Sequence, residues 1–163
     1  MQRLLHACLL VLPLCLLLSA CAHQPLSPGA LLSDFVTMYD GMPAGQIYRS
    51  GAAEWETGYL SPTLADALFL EDNGENALSL CTDYAIYLCS SLEGGEVAFF
   101  TCASRGDAAR VAAMCGARLS RMRQIKPGAT ILQDACVLHH GLTVALLALP
   151  ENNRAKEACE RLL

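Results

Sequence analysis

The chain has 163 residues, 53% of them hydrophobic and 17% charged, with a net charge of −5 when histidine is neutral. So acidic a chain lacks the basic footprint of a nucleic-acid binder, and no nucleic-acid partner is expected. The length suits one domain with its own core, and the sequence contains no fixed-period repeat, phosphate-binding glycine motif or G-x-S-x-G elbow that would assign a reaction.

The opening residues, MQRLLHACLLVLPLCLLLSAC, carry one cation at Arg3 and then an apolar run over residues 4–18, interrupted by His6 and Pro13. A positive start, an apolar middle and small residues before a cut are the order of a secretory signal. The run falls short of the roughly 20 apolar residues of a membrane span, and Pro13 weakens a continuous helix. Its end, Leu18-Ser19-Ala20-Cys21, resembles the bacterial lipobox, an aliphatic residue and two small ones before a cysteine. That resemblance implies that residues 1–20 are a lipoprotein signal peptide. The Cys21 thiol would take a diacylglycerol, and Cys21 would become the new amino terminus. Two acyl chains anchor stably where one binds only marginally. Cys21 is therefore the expected lipidation site, membrane lipid the expected partner, and the outer face of the cell membrane the expected location. Loss of residues 1–20 leaves 143 residues. Arg3 goes with them and no acid does, so the remaining net charge is −6. Such a domain gains nothing from an anionic surface, and the lipid must do the holding.

Residues 21–29 read as the lipidated cysteine and a short tether, and residues 30–163 as a single domain. Leu31, Leu32, Phe35, Val36 and Tyr39 keep helical spacing until Gly41, Pro43 and Gly45 stop it. Ile47-Tyr48-Arg49 is a short extended piece. Ser61-Pro62 reads as an N-cap followed by proline at the first helical position, with a helix to Phe69 and a polar turn over 72–76. SLCTDYAIYLCSS and EVAFFTCAS form two strands about a turn at Glu93-Gly94-Gly95. Residues 106–123 form a helix with Val111, Met114, Cys115, Leu119 and Met122 on one side and Arg110, Arg118, Arg121 and Arg123 largely elsewhere. Pro127-Gly128 closes it. ATILQDACVLHH is a third strand and GLTVALLALP a fourth, with the turn near His140-Gly141. Asn152 and Asn153 cap a last helix with Ala155, Ala158, Cys159 and Leu162 inward.

The predicted fold class is α+β: an antiparallel sheet in strand-strand-helix-strand-strand-helix order, with those two helices on one face. The fourth strand is apolar at both parities from Leu142 to Leu149. A half-exposed strand alternates, so this one is expected to be central and covered on both sides, the second cover coming from the N-terminal helices near Phe35 and Leu68.

The stretches YRSGA, LSPTLADALF, YAIYLCSS, EVAFFTCASRGDAARVAAMCGARLSRM and DACVLHHGLTVALLALPENNRAKEA together resemble the small lipoproteins of the domain of unknown function 4358 family. The likeness covers nearly all of the chain after Cys21. It implies an exported, lipid-anchored β-rich domain with an Arg-bearing helix and a terminal hairpin and helix. That family has no established activity, so no catalytic residue is carried over, and so many cysteines are atypical for it.

Six cysteines follow Cys21: Cys81, Cys89, Cys102, Cys115, Cys136 and Cys159. An even exported set permits three bridges in 15 pairings. The other reading is buried thiols acting as small apolar residues. Apolar neighbours, no C-x-x-C pair and a chain long enough to do without staples favour thiols. His139 and His140 are adjacent on a strand and point to opposite faces, which disfavours one shared metal. A nucleophile pairing of either with Cys102 or Cys136 lacks a third orienting group. Asp66, Glu71, Asp72 and Glu75 could supply a carboxylate pair but read better as a solvated loop. Trp55 is equally a partner contact or a plug at the edge of the core. Tyr84 and Tyr87 have opposite parity, and the outward one is the best candidate for a contact surface. No catalytic, metal or cofactor site is assigned. The expected function is a membrane-anchored extracytoplasmic binding or interaction module, for a small ligand or an envelope protein. The alternatives are a surface enzyme with an unrecognised site and a structural component of the envelope.

Overall fold

Two Ser-Pro pairs open the first two helices in the same way. In the computed structural model, which describes residues 26–90 and 95–163, the Ser27 hydroxyl accepts from Ala30 N at 3.2 Å and Pro28 begins helix α1, Pro28–Met38. The Ser61 hydroxyl accepts from Leu64 N at 3.3 Å and Pro62 begins α2, Pro62–Phe69. Each hydroxyl satisfies one orphan N–H of the first turn, and each proline removes another. The first helix thus starts two residues before Ala30, inside the segment expected to be tether. Ser104 caps α3, Arg105–Ile125, by accepting from Asp107 N at 3.0 Å. The last helix, α4, Asn152–Glu160, starts differently from expectation. Its cap is Glu151, held left-handed at φ +52°, whose side chain takes no backbone N–H of the first turn but accepts from Arg154 Nη1 at 2.7 Å.

The fold is α+β, with five strands in one antiparallel sheet: β1 Gly45–Arg49, β2 Cys81–Cys89, β3 Glu96–Cys102, β4 Cys136–His140 and β5 Thr143–Ala148. Their spatial order is β1-β2-β3-β5-β4. The short extended piece at Ile47 is therefore an edge strand of the sheet, ahead of the two expected hairpins. β5 lies between β3 and β4 and is buried at every position, which is why it carries apolar residues at both parities. The β4–β5 turn begins at Gly141, at φ +62°, where glycine avoids the left-handed penalty. Of the turn expected before β3, residues 91–94 lie outside the described residues. Gly95, at φ +124°, accepts from Cys89 N at 2.9 Å.

Helices cover both faces of the sheet, and this corrects the expected arrangement. On one face α3 and α2 bury Ile86, Ala98, Phe100, Val144 and Leu146 beneath Phe69, Val111, Cys115 and Leu119. On the other, α1 and α4 bury Ala85, Val97, Phe99, Ala145 and Leu147 beneath Leu31, Leu32, Phe35, Ala155 and Cys159. The helix after each hairpin takes a different side. The N-terminal segment does supply cover, but its two helices divide between the faces. Tyr39, at the end of α1, donates its hydroxyl to Pro150 O and ties the first helix to the start of the last.

The expected third strand is shorter than predicted. Residues 129–135 do not pair in the sheet, and Thr130–Leu132 form a 3-10 turn with Ile131 and Leu132 buried. Side chains take the acceptors a strand would have used. Arg123 Nε donates to Leu132 O at 2.9 Å and Nη2 to Ala135 O at 2.7 Å, while Asn152 Nδ2 donates to Ile131 O at 2.7 Å.

Candidate functional site

Four arginines of α3, Arg110, Arg118, Arg121 and Arg123, bond to other parts of the fold. Glu96, at the start of β3, is 2% exposed, and Arg118 meets its carboxylate with two donors at 2.8 and 2.7 Å. The third nitrogen of that guanidinium donates to Leu68 O at 2.9 Å, and its plane lies 5.4 Å from the Phe69 ring. Arg121 pairs with Glu71 at 3.1 Å, and Arg110 pairs with Glu75. Of the acids that might have formed a carboxylate pair, Glu71 and Glu75 are thus partners of basic side chains on α3. Asp66 in turn accepts from Asn76 Nδ2 at 2.9 Å and closes the polar turn.

The histidines are exposed on β4, an edge strand. In register, Cys136, Leu138 and His140 share the face of Ala145 and Leu147, whereas His139 shares the face of Val144. Cys102 belongs to the α3 face, as His139 does, and Cys136 to the α4 side, as His140 does; the ring contact of His139 is to Gly141 O, at 3.2 Å. No group of three or more His, Cys, Asp or Glu suited to a metal ion occurs among the described residues.

All six cysteines are free thiols in the structure. Burial raises the pKa of each, and Cys159 is pushed up to about 12. Thiols held protonated at neutral pH are poor nucleophiles. Tyr84 and Tyr87 do not divide into a covered and an open residue, because helices cover both faces of β2. Tyr84 packs toward α3. Tyr87 packs on the α1 side, and its hydroxyl donates to Pro43 O at 2.6 Å. Trp55 is 87% exposed and so does not plug the core. It lies in the loop that leaves β1 at Arg49, a loop held by Arg49 N donating to Gly58 O at 3.0 Å and Ser50 N donating to Tyr84 O at 3.1 Å.

A groove that the sequence did not reveal runs between α1 and the edge strand β1. Its volume is about 330 Å³, and Leu32, Ser33, Val36, Ile47, Arg49 and Ala85 line it. The reason lies in the sheet. Ile47 and Arg49 pair with Tyr87 and Ala85 and so share the α1 face. α1 contacts β2 and β3, leaving the outer strand beside it partly uncovered. Val36 and Ile47 remain 37% and 45% exposed across the gap. Arg49 is exposed and makes no ion pair among the described residues. The arrangement is a largely apolar trough with one cation in its lining. Sequence reasoning had Ile47 and Arg49 on an extended piece and Val36 on a helix, but no local signal places these elements side by side.

Cys21, the expected lipidation site, lies outside the described residues. No helix among the described residues is long and apolar enough to cross a membrane. Comparison with protein-family models, with curated proteins and with solved structures returned no match.

Proposed function

We propose that the chain is a membrane-anchored extracytoplasmic lipoprotein, held by acylated Cys21, whose folded domain is a binding module. The observation that carries the reading is the Leu18-Ser19-Ala20-Cys21 box, set six residues ahead of the Ser27 cap with which the first helix opens. The likeness to the domain of unknown function 4358 lipoproteins points the same way. The α1–β1 groove supports the binding half. Its apolar floor suits a hydrocarbon body and Arg49 suits one anionic group, so the ligand class is a small amphiphile bearing a carboxylate or phosphate.

Replacement of Cys21 by alanine tests the anchor. Cell fractionation should find the Cys21→Ala protein either uncleaved or released from membranes. A cleaved product that stays membrane-bound in the variant would sink the lipoprotein reading. A melting-shift screen with alkyl carboxylates and alkyl phosphates tests the module, because a ligand that prefers the folded state raises its stability by mass action. Absence of any shift up to the solubility of these probes would remove the amphiphile reading.

A further inference from the structure

We infer that Cys81 and Cys102 are a latent cross-strand disulfide, and that a bulge in β2 exists to bring them together. Along β2 and β3 the register runs Leu88↔Glu96, Ile86↔Ala98 and Tyr84↔Phe100, all on the α3 face. Continued without a break, it would set Thr82 opposite Cys102 and send Cys81 to the far side of the sheet. The register shifts between Cys81 and Asp83 instead. Thr82 is the extra residue, exposed, with its hydroxyl donating to Thr101 O at 3.0 Å. Cys81 therefore faces Cys102 on the α3 side. Re-aiming a side chain is what such a bulge does.

The backbone places this pair within bonding reach. Cys102 N donates to Leu142 O, on the β5 side, at 3.0 Å, so Cys81 and Cys102 form a non-hydrogen-bonded antiparallel pair. Regular pairs of that kind hold their Cα atoms about 4.5 Å apart, and the roughly 4.4–6.8 Å range of disulfides leaves room for the local distortion of a bulge. In the reduced state Cys81 Sγ donates to Ala77 O at 3.3 Å. Cys115 belongs to the same buried cluster, but it stands on α3, and no strand register holds it opposite either partner.

Exposure sets the order of events. Cys81 is half-buried and Cys102 is buried, so Cys81 meets an outside oxidant first. The oxidant is a disulfide, either of a small thiol or of an exported thiol–disulfide oxidoreductase. Burial raises the Cys81 pKa, so its thiolate is scarce and the first step is slow: Cys81 loses its proton, the thiolate attacks one sulfur, and the first thiol of the oxidant leaves. Cys102 then loses its proton and attacks the Cys81 sulfur of that mixed disulfide, and the second thiol leaves. Two protein thiols are oxidised by two electrons, and one disulfide is reduced to two thiols. The product staples the start of β2 to the end of β3.

Formation in the cell rests on the export proposed above, whereas formation in solution does not. The full mature protein, purified with reductant, would be incubated in oxidised glutathione at mildly alkaline pH until its thiol count is constant. It should lose two alkylatable thiols, and peptide mapping should recover one crosslink, Cys81 to Cys102. Cys81→Ser should abolish that crosslink, and Cys102→Ala should trap glutathione on Cys81. An unchanged thiol count, a persistent glutathione adduct on the native protein, or a link from either residue to Cys115 would overturn the inference. In acid-quenched cells the same crosslink should be present. A crosslink that forms in solution but is absent in cells would count against export and leave the pairing standing.

Discussion

Arg118 and Glu96 form a two-pronged ion pair within the α3 layer, with the carboxylate 2% and the guanidinium side chain 14% exposed. Arg121 and Glu71, three residues further along α3, form a pair of the same chemistry nearer to solvent. Breaking a buried pair leaves an uncompensated charge and costs about 3–5 kcal/mol, whereas an exposed pair contributes about 0.2–1 kcal/mol. Arg118→Met should therefore lower the urea-unfolding free energy by about 3 kcal/mol or more, and Arg121→Met by about 1 kcal/mol or less. The double variant Glu96→Gln/Arg118→Met should lose less than the sum of its singles. Equal losses for Arg118→Met and Arg121→Met would contradict the role given to burial.

Asn152 joins three parts of the fold. Its Oδ1 accepts from Leu149 N at 2.9 Å and its Nδ2 donates to Ile131 O at 2.7 Å, with the residue buried. Asn152→Ala strands one buried donor and one buried acceptor. It should cost about 2–4 kcal/mol in urea unfolding, and Asn152→Asp, which keeps only the acceptor, should also destabilise. A loss below about 1 kcal/mol for the alanine variant would show that water replaces both bonds.

Alkaline pH should loosen the protein through its thiols. Burial raises Cys159 from its usual 9.0 to about 12, so between those values the folded state keeps a proton that the unfolded chain has lost. The contribution to stability is complete below pH 9 and disappears as pH rises toward 12. Each such thiol adds a slope of about 1.4 kcal/mol per pH unit within that window. Urea unfolding under reductant should show a steepening decline above about pH 9, and Cys159→Ala should reduce the slope by about one proton. A flat profile would contradict the burial argument.

The groove offers substitutions that spare the core. Val36→Asp and Arg49→Gln alter side chains on its rim, where changes usually shift stability by about 0.5 kcal/mol or less. Both variants should melt near the native temperature and lose the shift produced by alkyl carboxylates. Undiminished shifts in both would place that binding elsewhere.

The sequence by itself determined much of the local architecture. Ser61-Pro62, the spacing of Val111, Cys115 and Leu119, and Gly141 each act over a few residues, so each named its element without help from the rest of the chain. The doubly apolar run of β5 went further and required cover on both faces. Ser27-Pro28 carries the same cap signature as Ser61-Pro62, inside the segment expected to be tether.

Only the tertiary structure decided which helix covers which face, because that depends on the path between elements and not on the pattern within them. It alone matched Arg118 with Glu96, 22 residues away, and Arg121 with Glu71, 50 residues away. It also turned residues 130–132 into a 3-10 turn with Ile131 and Leu132 buried, where side-chain donors from α3 and α4 replaced strand pairing. The one extra residue at Thr82 carries no compositional mark, yet it reverses parity for everything before it on β2. In a strand of period two, a shift of one residue exchanges the faces, and that exchange sets Cys81 against Cys102.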